Sequence, residues 1–136
     1  MKLLAALLAL FGVSGQSTDR PAYAAGQVWE YRTRPTEPDS LLRIQAIEAD
    51  PRGDPIYHIS LIGLALPGGE IMHSPVSKQT LDASVTRLSS RRPAFPDPSE
   101  GIAIWRENEG GVFTLSVAEI VEAIESISTR GRPESE

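Results

Sequence analysis

From Gly26 to Ile62 apolar and polar positions alternate in three runs, set apart by clusters of Pro, Asp, Ser and Gly. In the first run Trp29, Tyr31 and Thr33 share one side, and Val28, Glu30, Arg32 and Arg34 the other. The aromatic side reads as inward, and Val28 on the opposite side implies some cover on both. The second run, residues 41–49, sets Leu42, Ile44 and Ala46 against Leu41, Arg43, Gln45 and Ile47. The third, residues 56–61, puts Tyr57, Ile59 and Leu61 together, with His58 on the side of Ile56, Ser60 and Ile62. The connections at residues 35–40 and 50–55 are too short for a parallel crossover and are rich in turn formers, so the three runs predict an antiparallel meander.

Beyond Gly63 the extended pattern resumes briefly and turns at Pro67-Gly68-Gly69. The period then changes. Leu81, Val85 and Leu88 recur at helical spacing and predict a short amphipathic helix over residues 77–88. Residues 91–101 contain Pro93, Pro96 and Pro98 and read as a loop. Residues 102–106 and 111–115 read as a further hairpin, with Trp105 and Phe113 as inward anchors. Ser116 and Glu119 have capping-box spacing, and Leu115 and Ile120 occupy the positions of a hydrophobic staple. The helix that follows carries an apolar stripe of Ile120, Val121, Ile124 and Ile127, with Glu119, Glu122 and Glu125 toward water. The sum is an α+β fold. Its expected form is a strongly bent antiparallel sheet or partly open barrel, with one short internal helix and a C-terminal amphipathic helix packed on the sheet.

The start of the chain changes the picture. Lys2 and the apolar residues 3–13, followed by Val13-Ser14-Gly15, have the form of a cleavable signal peptide over residues 1–15. About 11 apolar positions in a row fall short of the roughly 20 that span a bilayer, so cleavage is favoured over an anchor. Residues 16–25 read as a flexible lead-in, 26–128 as one domain and 129–136 as a disordered tail. The expected location is periplasmic or extracellular. A length of 136 residues suits a single domain, and the formal charge of −5 disfavours nucleic acid and anionic lipid. Arg87, Arg91 and Arg92 are the one local basic cluster, and they read as solvated surface before anion contact. With no cysteine in the sequence, disulfides, thiolate metal sites and thiol nucleophiles are excluded.

The run from Gly26 to Arg34, with Glu37 and Ser40 behind it, resembles the opening of a family of small bacterial proteins of unknown function. The segment from Gly110 to Ser116 is similar to a later stretch of the same family. The resemblance spans most of the mature chain and implies no activity. An export signal is a departure from most members.

Candidate chemistry is sparse. His58 and His73 are the only histidines, and no metal-binding spacing accompanies them, so no metal and no cofactor is expected. Ser40, His58 and Glu37 are the residue types of a hydrolase, but no G-x-S-x-G elbow surrounds a serine. Glu30 and Glu37 as a carboxylate pair would need a cleft at a defined separation, and the Pro35–Pro38 context makes a solvated Glu37 the simpler reading. Gly68-Gly69 and Gly110-Gly111 read as turns and not as phosphate loops. The expected function is an exported, non-enzymatic binding domain, such as an inhibitor or neutralising partner of an exported protein. Its binding face would be acidic, from loop residues Glu37, Asp39, Asp50 and Asp54. The alternatives are a small hydrolase of envelope material with His58 as base, and a structural envelope-associated domain.

Overall fold

The computed structural model describes residues 22–131. Eight elements follow in order: β1 (Val28–Tyr31), β2 (Leu41–Ala49), β3 (Pro55–Ile62), β4 (Ile71–Val76), α1 (Lys78–Ser84), β5 (Val85–Leu88), α2 (Ser99–Glu107) and α3 (Val117–Gly131). The strands form one open antiparallel sheet in the order β4-β3-β2-β1-β5. The fold is therefore α+β, with the three-strand meander at its centre and α3 packed on the sheet. No helix among the described residues is long and apolar enough to cross a membrane.

One face of the sheet carries Trp29, Tyr31, Leu42, Ile44, Tyr57, Ile59 and Leu61, and is closed by Leu81, Val117, Ile120 and Val121 from the helices. The opposite face carries Val28, Leu41, Ile56, His58 and Ser60, all buried as well. Cover on that side comes from α2 and the proline-rich segment before it: Trp105 lies edge-on to His58, and Gln45 Nε2 donates to the Pro96 carbonyl at 3.1 Å. The sheet is thus covered on both faces, as Val28 opposite the aromatic side implied.

The pairing of β2 with β3 slips between Ile44 and Ala46. Gln45 is the extra residue, and the bulge reverses the alternation beyond it. Ala46 now pairs with His58 and Ile47 with Tyr57. The sequence pattern had placed Ala46 with Leu42 and Ile44, so this half of the strand is a correction.

The helix expected over residues 77–88 stops at Ser84. Ser77 caps its start, accepting from Thr80 N at 3.1 Å. Val85 and Thr86 are β-branched, and β1 offers them an unpaired edge, so the chain leaves the helix to pair with it. Residues 102–106 lie in α2 and not in a hairpin. Asp97 Oδ1 accepts from Ser99 N (2.9 Å) and Oγ (2.6 Å) at its first turn, and Ile102 and Trp105, three apart, turn toward the sheet. Trp105 is accordingly an inward anchor, whereas Phe113 is 37% exposed and bridges β4 through its backbone only.

The capping box at Ser116 and Glu119 forms: Ser116 Oγ accepts from Glu119 N (3.2 Å), and Glu119 Oε1 from Ser116 N (3.0 Å). Ile127, expected in the buried stripe, is 65% exposed. Residues 22–25, within the expected lead-in, precede β1. Tyr23 packs edge-on against both Trp29 and Tyr57 and donates to Asp82 at 2.6 Å. The last helix runs to Gly131, past the expected tail boundary at 129. The signal segment lies outside the described residues.

Candidate functional site

The bulge at Gln45 has a consequence for chemistry. Past it, Glu48 joins the face of His58, and His58 Nε2 lies 2.5 Å from Glu48 Oε2. The other ring nitrogen, Nδ1, lies 2.8 Å from Nε2 of His73 on β4. Glu48, His58 and His73 therefore form a line across three adjacent strands. Arg106 of α2 completes its outer end, reaching Glu48 Oε2 at 3.0 Å, and Trp105 packs over His58 with ring centroids 4.8 Å apart.

The partners set the protonation pattern. Glu48 accepts from His58 Nε2, so a neutral His58 ring would present Nδ1 as an acceptor to a proton on His73 Nε2. Burial, and next the proximity of His58, push the His73 pKa down to about 4. For Glu48 burial works against the charge, but the hydrogen bond from His58 and then Arg106 outweigh it and hold the carboxyl below its ordinary range. The arrangement can carry a proton between Glu48 and His73. The His58 ring that links them is 0% exposed, however, and reaches no solvent itself.

The other candidates lie elsewhere. Ser40 is buried, its Oγ shared with Tyr31 OH at 2.7 Å and donating to the Ile62 carbonyl at 2.6 Å. Ile62 lies four residues along β3 from His58, about 13 Å at strand spacing. Glu37 is near Ser40 and is also buried, which overturns the solvated reading. Its carboxylate receives Arg34 Nε (2.7 Å) and Nη2 (2.9 Å) and the Ala65 N–H (2.8 Å). Burial opposes ionisation of Glu37, but these bonds prevail and lower its pKa. Arg34 extends the network to Glu125 (2.6 Å) and Glu122 (3.1 Å) of α3, and these carboxylates, Glu37 foremost, raise the pKa of its guanidinium further. Tyr31 beside them is pushed up to about 12, mainly by burial.

Of the four loop carboxylates expected to bind a partner, Glu37 is thus committed internally. Asp39 is exposed at one end of β2, while Asp50 and Asp54 sit in the hairpin at the other end. Nine strand residues, about 30 Å, separate them. Asp50 Oδ1 accepts from the backbone N–H of Arg52 and Asp54, both at 2.9 Å, and so shapes its own turn.

Among the described residues no group of three or more His, Asp or Glu side chains is placed to hold a metal ion. Glu48 and Arg106 were not candidates in the sequence, and Trp105 was singled out only as an inward anchor. Alternation assigned Glu48 to the wrong side of β2, and the two α2 residues were read in a strand. The chain matches no protein-family model, and no curated protein and no solved structure matches it.

Proposed function

We propose that this chain is an exported, non-enzymatic binding domain whose partner is a basic protein. The observation that carries the reading is the state of the candidate catalytic groups. A general base must hold a free nitrogen toward a substrate, yet both nitrogens of the buried His58 are engaged, by Glu48 and His73. The serine and carboxylate that would join it lie along the sheet in a separate network that ties the β1–β2 loop to α3. Export rests on the charged start and apolar segment of residues 1–15.

The outer side of α3 suits such a partner. Ile127 stands 65% exposed there, and a shallow recess is bounded by Glu119, Glu122, Ala123, Ser126 and Ile127. An apolar anchor beside two exposed carboxylates, Glu119 and Glu122, matches a basic surface with an apolar knob, and the charges would hasten encounter at low salt. This moves the acidic face from the loops, where Glu37 is committed, to α3.

The test is a pull-down from envelope extract at low and high ionic strength, comparing wild type with Ile127→Lys and Glu122→Lys. One basic protein is expected that binds wild type less at high salt and is lost in both variants. Turnover of envelope material by the wild type, abolished in Glu48→Gln, would overturn the reading in favour of a hydrolase.

A further inference from the structure

We propose that the recess beneath the proline-rich segment 93–98 binds a small carboxylic acid with a compact apolar body, its carboxylate held by Arg43. Arg43 sits mid-strand in β2, in register with Val28 on one side and Ser60 on the other, both buried. The residue is half-buried, and its Nε is shut off from solvent with no hydrogen-bond partner. Arg34, Arg52, Arg87 and Arg106 each have a carboxylate. Among the described residues Arg43 has none. A guanidinium N–H shut off without an acceptor is costly, and an anion placed against the open side of the guanidinium would offset part of that cost.

The space for that anion is present. Arg43, Gln45 and residues 93–98 line a recess of about 360 Å³, toward the lower end for small-molecule sites. Pro93, Phe95, Pro96 and Pro98 bring apolar side chains to a lining whose exposed surface is otherwise mostly polar, and prolines contribute no N–H to compete for the ligand. Gln45 donates to Ser60 Oγ and to the Pro96 carbonyl, both at 3.1 Å, so it fastens the wall to the sheet. Asp97 at the rim accepts from Ser99, whose two hydrogen bonds keep the carboxyl ionised to lower pH. With one guanidinium and the Asp97 carboxylate among its lining groups, the recess carries no surplus positive charge, so a dianion is disfavoured against a monoanion. The planar fork of Arg43 fits a carboxylate, and the proline and phenylalanine side chains fit an apolar body. This goes beyond partner binding at α3 and uses neither its residues nor its side of the sheet.

The experiment follows the Gln45 side-chain amide signal in wild type and variant, and the Arg43 Nε–H signal in the wild type, by NMR at constant ionic strength while sodium benzoate, benzamide or inorganic phosphate is added. A saturable shift with benzoate alone is expected, with affinity lowered at least about tenfold in Arg43→Met. An equal response to benzamide would show an apolar recess with no use for the guanidinium, and would overturn the proposal. So would saturation by phosphate without benzoate, or no saturable response of the wild type to benzoate at its solubility limit. The wild-type arms decide the matter even if Arg43→Met fails to fold.

Discussion

The Nδ1 atom of His58 and the Nε2 atom of His73 lie 2.8 Å apart, so a single proton serves the two facing nitrogens. Burial and the nearby His58 oppose a charge on His73. Stability should therefore depend on pH. Above the ordinary histidine value of 6.5, folded and unfolded chains both hold His73 neutral. As pH falls toward about 4, the unfolded chain takes up a proton that the folded one resists, and stability drops. Glu48, with its lowered pKa, adds a loss in the same direction at still lower pH. Urea midpoints should fall between pH 6.5 and 4 by the equivalent of about 1–2 kcal/mol. In His73→Gln, which keeps a donor but does not titrate, that part of the slope should flatten. An unchanged slope would place the acid sensitivity elsewhere.

Glu37→Ala should be among the more damaging single changes. It removes two hydrogen bonds from Arg34 and the acceptor of the Ala65 N–H, all in a buried setting. A loss of about 2–4 kcal/mol is expected, softened from the full cost of breaking a buried pair because Glu125 and Glu122 still hold Arg34. Glu122→Ala, at an exposed end of the network, should cost under about 1 kcal/mol. Denaturant unfolding of the two variants measures both.

Two isoleucines of α3 should separate sharply. Ile120 is 1% exposed and Ile127 65%, so Ile120→Ala should cost about 2–4 kcal/mol and Ile127→Ala close to nothing. Ser116→Ala should remove about 1 kcal/mol through its half of the capping box. Thermal and urea melts check all three, and a large effect at Ile127 would mean that its side is covered in solution.

Gly101 holds α2 against the sheet. A Cβ there would come within 2.8 Å of the His73 Cβ, so Gly101→Ala must push the helix outward or turn the ring. A destabilisation of about 1–3 kcal/mol is expected, with increased fluorescence change at Trp105 on mild acidification as the His58 contact loosens. Hydrogen exchange across residues 99–107 would locate the effect.

Much of the architecture was legible in the chain itself. Alternation in three runs, joined by connections too short for crossovers, leaves an antiparallel meander as the economical pairing, and the Ser116–Glu119 spacing identifies a helix start from local hydrogen bonding alone. Those are local constraints, satisfied by neighbours in sequence. Ile102, Ala103, Ile104 and Trp105 were different, because a short apolar run suits a strand or a buried helix equally until something decides which face is covered. The sheet decided it, by offering His58 and His73 as a surface for Trp105 and Gly101. The end of α1 likewise depended on the free edge of β1.

The candidate sites depended on tertiary structure almost entirely. Histidine, glutamate and arginine are visible in a sequence, but whether Glu48 faces His58 turns on one extra residue at Gln45, which reverses every side chain after it. Glu37 looked solvated because it stands between prolines in a loop, and only the arrival of Arg34 and the Ala65 N–H beside it made burial affordable. Alternation set Arg43 opposite Leu42 and Ile44, yet that its side of the sheet is also covered, and that its Nε has no partner there, are facts about the assembled face. The sequence by itself determined which segments are extended and where the last helix begins, because those follow from backbone preference and spacing. Which polar groups meet, and which of them are left facing solvent, was decided by the packing of distant segments, since hydrogen bonds and ion pairs form between whatever the fold brings within about 3 Å.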